Sequence, residues 1–229
     1  MKRYFSVVFI VIALSAISCS SSHSPTGSGS GSFSLNGPII LSEINANGPL
    51  AFAEIADQNG AINNATVTLT TAGPTTFGLG FVLSSSYPVT YSGGITILSM
   101  SYYDNPSITY TANQPYTMTV GIGSSTYTSS VMAVSIPTFT SYSSSVTCNW
   151  SGGGNENTII AVETASPYNS RIFGPNITSP YGIPNSSLSG YIAGNYDLTA
   201  SIVNIDNGAF SGTSSSSYLI ATSEAITTH

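Results

Sequence analysis

Apolar and polar residues alternate strictly in several short stretches of this chain. Ala65-Thr66-Val67-Thr68-Leu69-Thr70, Tyr116-Thr117-Met118-Thr119-Val120 and Tyr196-Asp197-Leu198-Thr199-Ala200-Ser201-Ile202 each repeat with period two. That period places one face of a strand against a core and the other in water. Val, Ile, Thr and Tyr dominate, as pleated, half-buried surfaces favour. Turn residues punctuate the pattern at Asn59-Gly60, Gly93-Gly94, Gly152-Gly153-Gly154 and Asn207-Gly208. From about Leu35 onward no stretch carries the apolar 3.6-residue repeat of an amphipathic helix. Many short strands separated by turns predict an all-β fold, sandwich or barrel.

The N-terminus reads differently. Met1-Lys2-Arg3 is a charged opening, Tyr4 to Leu14 an apolar run, and Ser15-Ala16-Ile17-Ser18-Cys19 a small-residue cleavage site. This is the order of a secretory signal peptide. The apolar run falls short of the roughly 20 residues that span a bilayer. Ala16-Ile17-Ser18-Cys19 resembles the lipobox of bacterial lipoproteins, with Ala16 where that family usually carries Leu. The resemblance implies removal of residues 1–18, lipidation of Cys19, and the membrane as a partner through the anchor. It implies a place in the bacterial cell envelope. Ser20 is not the Asp that resembles an inner-membrane retention signal, so a host with two membranes would carry the protein on the outer one. The plainer alternative is an ordinary secretory signal with an incidental cysteine. Acyl chains contribute about 0.8 kcal/mol per buried methylene, enough for stable anchoring.

Residues 19–34 are rich in Ser and Gly and include Gly27-Ser28-Gly29-Ser30-Gly31-Ser32. Such sequence behaves as a flexible tether with a reach of about 20 Å. The remainder is too long for one sandwich of about 100 residues. Val134-Ser135-Ile136-Pro137-Thr138 would divide it nearly evenly, and Pro137 suits a connection better than a central ladder. The expectation is two tandem β-sandwiches, at 35–136 and 137–229.

Both halves carry an aromatic-led strand, at Pro115-Tyr116-Thr117-Met118 and at Asn195-Tyr196-Asp197-Leu198. These resemble the tyrosine corner of immunoglobulin-like sandwiches, where the Tyr hydroxyl bonds back to nearby backbone. In the second half, Val146-Thr147-Cys148-Asn149-Trp150 resembles the early fibronectin type III strand that ends in a core Trp. Tyr196 to Ala200 resembles its later Tyr strand. Asn204-Ile205-Asp206-Asn207-Gly208, Ser211 and Tyr218 to Thr222 resemble its closing turn and strand. The likeness covers about residues 138–224; the Pro- and Gly-rich segment 166–189 departs from it. Glu54 to Leu69, with its Asn-Gly turn and Ala-Thr-Val-Thr-Leu strand, resembles the opening of bacterial carboxypeptidase-regulatory-like surface sandwiches.

Charge narrows the function. Charged residues make up 5% of the chain, against about 25% in ordinary globular proteins. Lys2 and Arg3 leave with the signal, so Arg171 alone faces nine acids, a side-chain sum of −8. Nucleic acid is thereby excluded as a partner, since phosphate binding needs clustered Lys and Arg.

Catalytic chemistry is scarce as well. The two histidines are His23, in the tether, and His229, the last residue, so a serine nucleophile has no placed base. No lysine survives processing, and His and Cys are too few for a zinc site. The expectation is no cofactor, no metal and no enzyme activity. Glu54 with Asp57, or Asp197 with Asp206, could pair as glycosidase carboxylates, although solvated strand and turn acids explain each. Asp57-Gln58-Asn59-Gly60 and Asp206-Asn207-Gly208 offer oxygens to calcium, and Asx turns account for both without it. Cys148 alternates in phase with Val146 and Trp150 and reads as an inert core thiol.

Tyr102, Tyr103 and Tyr168, beside Asn105 and Asn169, are the candidate ligand contacts, at positions read as loops. Exposed Tyr offers flat apolar area with a polar tip to a protein or glycan. The expected function is non-catalytic binding, adhesion or structural spacing at the surface or facing the periplasm. The alternatives are an accessory subunit of a surface enzyme or secretion complex, and a small carboxylate-dependent glycosidase.

Overall fold

The structure, a computed structural model, describes residues 37–47, 51–73, 75–91, 94–141, 145–152, 159–165, 168–174, 177–191, 196–206, 210–213 and 217–228. The signal segment, Cys19 and the tether lie outside the described residues. So do Asn207 and Gly208 of the second candidate calcium turn.

The described chain is all-β. Eight strands belong to the N-terminal half: β1 (Ile39–Asn45), β2 (Ala51–Asp57), β3 (Gly60–Ala61), β4 (Thr66–Thr71), β5 (Thr76–Tyr91), β6 (Gly94–Asp104), β7 (Pro115–Ile122) and β8 (Ser125–Met132). Seven follow: β9 (Thr138–Ser141), β10 (Ser145–Asn149), β11 (Ile159–Ala165), β12 (Tyr168–Phe173), β13 (Tyr181–Pro184), β14 (Tyr196–Asp206) and β15 (Tyr218–Thr228). One 3-10 turn, Asn185–Leu188, interrupts them.

Alternation explains which face each strand buries. In β4, Val67 and Leu69 point inward while Thr66, Thr68 and Thr70 remain accessible. In β7, Tyr116, Met118 and Val120 point inward to meet them. Fully burying side chains of this size stabilises by about 1.5–3 kcal/mol each. Tight turns set the registers. Asp57 Oδ1 accepts from Asn59 N at 2.7 Å, and Gly60 takes φ +113°, closing β2 onto β3 through an Asx turn.

Strand order runs β12-β11-β14-β15-β1-β2-β6-β5-β4-β7-β8, with β3 on β2, and a separate sheet runs β13-β10-β9. The 16-residue β5 changes partners along its length. Thr76 to Leu79 pairs with β4; Gly80 onward pairs with β6, with a bulge between Phe81 and Leu83. Such a bulge is how one strand turns a corner between two faces.

Two large hydrophobic clusters fill the interior of the fold. The first gathers residues from Ile40 to Ala133, including Leu69, Tyr103, Tyr116 and Met118. The second gathers residues from Val134 to Ile202, including Cys148, Trp150, Tyr196 and Leu198. They divide between Ala133 and Val134, yet more than a linker joins the halves. Phe210, Leu219 and Ala221 return to the first cluster. β15 pairs antiparallel with β14 over its length and parallel with β1, aligning Leu41 with Tyr218 and Asn45 with Thr222. The first and last strands are therefore neighbours in one continuous sheet.

Candidate functional site

Tyr102 and Tyr103 end β6 and are not loop residues. Adjacent strand residues face opposite ways, and the two tyrosines part accordingly. Tyr103 is 1% exposed in the first core. Its hydroxyl donates to Ile62 O and accepts from Ala65 N, holding the approach to β4. The surface role expected for Tyr103 is thus corrected to a core one. Tyr168 opens β12; its side chain lies outside those described.

Tyr102 stands on the opposite face of the same sheet. Ile40 and Ile44 of β1 enter the first core, so Ile39, Leu41, Glu43 and Asn45 share this second face. Pairing registers place Tyr218, Leu41, Glu54, Tyr102 and Leu83 in one row across β15, β1, β2, β6 and β5. The next row is Ile220, Glu43, Phe52 and Asp104. Diagonal neighbours in such rows stand about 7–8 Å apart. Glu43, Glu54 and Asp104 therefore form a zigzag of acids among aromatics.

The near end of this face is closed and the far end is open. Ile39, Ala56 and Met100 are buried there with Leu41 packed against them. Leu83 is 47% exposed, and Phe81 and Val82 beside it are exposed as well. Between these ends, Phe52 and Tyr102 are half-buried, with ring centroids 5.5 Å apart and planes tilted by 31°. Desolvation pushes the Tyr102 hydroxyl up to about 12, with Asp104, Glu54 and Glu43 adding to the rise. Desolvation raises Tyr218 too, again with Glu43 and Glu54 contributing. Tyr102 is consequently a neutral donor and acceptor at any ordinary pH.

The acid pairs suggested by spacing do not converge. Glu54 and Asp57 are three apart on β2 and face opposite sides. Asp197 and Asp206 lie at opposite ends of β14, roughly 30 Å apart at 3.3 Å per residue. Among the described residues no group of three or more His, Cys, Asp or Glu could hold a metal ion. Two shallow clefts open elsewhere. One of about 360 Å³ is lined by Thr71, Phe77, Ser107, Thr109, Gln114 and Tyr116, without a carboxylate. The other, of about 340 Å³, has Asp57, whose Oδ1 already closes its own turn.

Three residues singled out by pattern have structural employment. The Tyr116 hydroxyl accepts from Thr111 N at 2.8 Å and donates to Thr109 O at 3.4 Å, bonding back to backbone upstream. Trp150 is 7% exposed, in phase with Val146 and Cys148. Burial pushes the Cys148 thiol up to about 12, which keeps it protonated. Sequence reasoning passed over Glu43. Its signal was present: one carboxylate in the apolar run Ile39-Ile40-Leu41-Ser42-Glu43-Ile44, in phase with Ile39 and Leu41.

No family model matches the chain, and no curated protein matches it in sequence.

Proposed function

We propose that this chain is a non-catalytic, lipid-anchored protein of the bacterial envelope whose all-β body serves binding, adhesion or structural spacing. The observation that carries the reading is the stripe of Phe52, Tyr102 and Leu83 across β2, β6 and β5, bordered by Glu54 and Asp104. Aromatic area with carboxylate acceptors at its margin suits a protein or glycan ligand. The signal and Cys19 support the anchor, and the paucity of cations disfavours nucleic acid.

Strand order in the C-terminal half supports a fibronectin type III-like second unit. Its first, second and fifth strands share one sheet, and the third, fourth, sixth and seventh share the other. Trp150 and Tyr196 both belong to the core cluster of this half. The backbone contacts of Tyr116 support an immunoglobulin-like first unit.

Fractionating cells that carry Cys19→Ser tests the anchor. Release to soluble fractions, or retention of the uncleaved signal, is expected; unchanged membrane partition of a fully processed variant refutes it. A glycan and peptide array probed with the full chain in detergent tests the face. Tyr102→Ala should remove any binding that Phe173→Ala keeps. Saturable hydrolysis of glycan substrates that vanishes in folded Asp197→Asn would overturn the non-catalytic reading.

A further inference from the structure

Glu43 sits where the beginning and the end of the fold meet. β1 is flanked by antiparallel β2 and parallel β15, and Glu43 lies opposite Phe52 on one side and Ile220 on the other. The side chain is 1% exposed. Oε1 accepts from Asn45 Nδ2 at 2.9 Å and from Thr222 Oγ1, which reaches across the seam from β15. Oε2 is equally buried and has no donor among the described residues.

This asymmetry separates the two protonation states. In the neutral acid, Oε2 carries the proton, and the cost is one missing hydrogen bond. In the carboxylate, half of the charge falls on a buried oxygen with no donor among the described residues, a far larger penalty. The groups facing Glu43 do not relieve it. Glu54 comes from β2, Tyr102 and Asp104 from β6, and Tyr218 and Glu224 from β15; β14 contributes Val203 and Ile205 at this level, neither titratable. None is a cation. Arg171 belongs to β12, where its guanidinium donates to Ser187 O and lies over the Phe173 ring.

We propose that Glu43 is a proton-operated latch on the seam between the first and last strands: neutral, it lets β1 and β15 close over it; ionised, its buried charge on Oε2 draws in water and loosens them. Burial raises its proton affinity, and the donors from Thr222 and Asn45 only partly offset the rise. The folded state therefore keeps a proton that the unfolded chain releases. The stability this provides is complete below the usual carboxylate range and is lost as pH climbs through the raised value, opposite to ordinary acid lability. On the lipid-anchored reading the tether leads directly into β1, so the latch controls the strand through which the membrane pulls on the fold.

Native-state hydrogen exchange on the full chain in detergent, between pH 5 and 9 and corrected for intrinsic exchange rates, tests this. Amides of β1 and the first half of β15 should lose protection as pH rises, by up to tenfold per unit where one proton is released, while β7 and β8 hold theirs. Glu43→Gln should flatten the seam profile. A flat wild-type profile, or the same slope in Glu43→Gln, overturns the proposal. Thr222→Val provides an independent check should the Gln variant not fold. It removes a donor that favours the ionised form, so the assigned ¹³C carboxyl titration of Glu43 should move to higher pH; an unchanged or lower midpoint refutes the latch.

Discussion

Gly152 lies at the waist where the two halves touch, and replacing it with Ala should be among the most damaging single-methyl changes in the protein. Its φ is +93°, a conformation that L residues avoid. A Cβ there would collide with the Ala133 carbonyl oxygen and stand 3.0 Å from Asn113 Oδ1 and Val134 Cα. Two of these three neighbours are backbone and cannot swing away. The Ala133 oxygen already accepts from Asn113 N at 2.9 Å, and the Gly152 carbonyl accepts from Asn204 Nδ2, which also reaches Met132 O. The positive φ costs about 1–2 kcal/mol, and forcing a methyl against fixed atoms costs about 1–3 kcal/mol more. Gly190 separates the two contributions. Its φ is +99°, and among the described residues beyond its chain neighbours no atom lies within 4 Å of its Cβ position, so Gly190→Ala should bear the backbone cost alone. Urea unfolding of both variants, followed by the emission of the single tryptophan, measures the gap, expected at about 1–3 kcal/mol. Equal destabilisation by the two substitutions would show that the waist is not packed as described.

Trp150→Ala should cost about 3–5 kcal/mol, whereas Trp150→Phe should cost much less, because it also removes an Nε1 donor buried without an acceptor among the described residues; native emission should be blue-shifted, and a water-like maximum would contradict its burial. Tyr116→Phe should lose about 0.5–1.5 kcal/mol by removing the hydrogen bond to Thr111 N, and a neutral result in thermal melts would mean that the corner hydroxyl does not hold the β7 approach. With its thiol pushed up to about 12, Cys148 should resist alkylation at pH 8 until denaturant is added; labelling of the native chain at the rate of a free thiol would refute its inertness. A fragment of residues 35–136 lacks Phe210, Leu219 and Ala221 of its own core and the β15 partner of β1, so it should show broad, weakly dispersed amide spectra, and a sharp native-like spectrum would show that the first half is self-sufficient.

Local pattern revealed the strands better than their partners. Thr66–Thr71, Pro115–Ile122 and the start of Tyr196–Asp206 were legible because each has one dry and one wet face. The Asx turn at Asp57 was legible because it involves neighbours in sequence. Pairing between β1 and β15 was not, since it joins residues about 177 positions apart and a period of two names no partner. The exchange of partners along β5 was hidden for the same reason. Tyr102 and Tyr103 show the limit most clearly: parity requires that they face opposite ways, but only the sheet decides which one is buried. Within segment 166–189, β12, β13 and a 3-10 turn emerge where Pro and Gly had obscured any strand pattern. Glu43 was missed because a carboxylate in a half-apolar strand reads as solvated until both flanking strands are known.

The long β14–β15 ribbon determines how the halves respond to one another. Each strand is 11 residues long, about 35 Å at strand rise. At one end Leu198, Ala200 and Ile202 enter the second core; at the other Leu219 and Ala221 enter the first. Ladder hydrogen bonds from Asp197–Thr228 to Asp206–Leu219 make it one stiff element. Ser223 adds to the tie, donating to Ser135 O in the connection between the halves at 2.7 Å. Opening the fold around either core therefore exposes one end of a beam on which the other still depends. A flexibly linked pair of domains would bend at residues 134–138, but here that segment is spanned by two paired strands and by Asn204 and Ser223. Such a body resists bending, which is the mechanical property that a spacer or a binding face held away from a membrane requires.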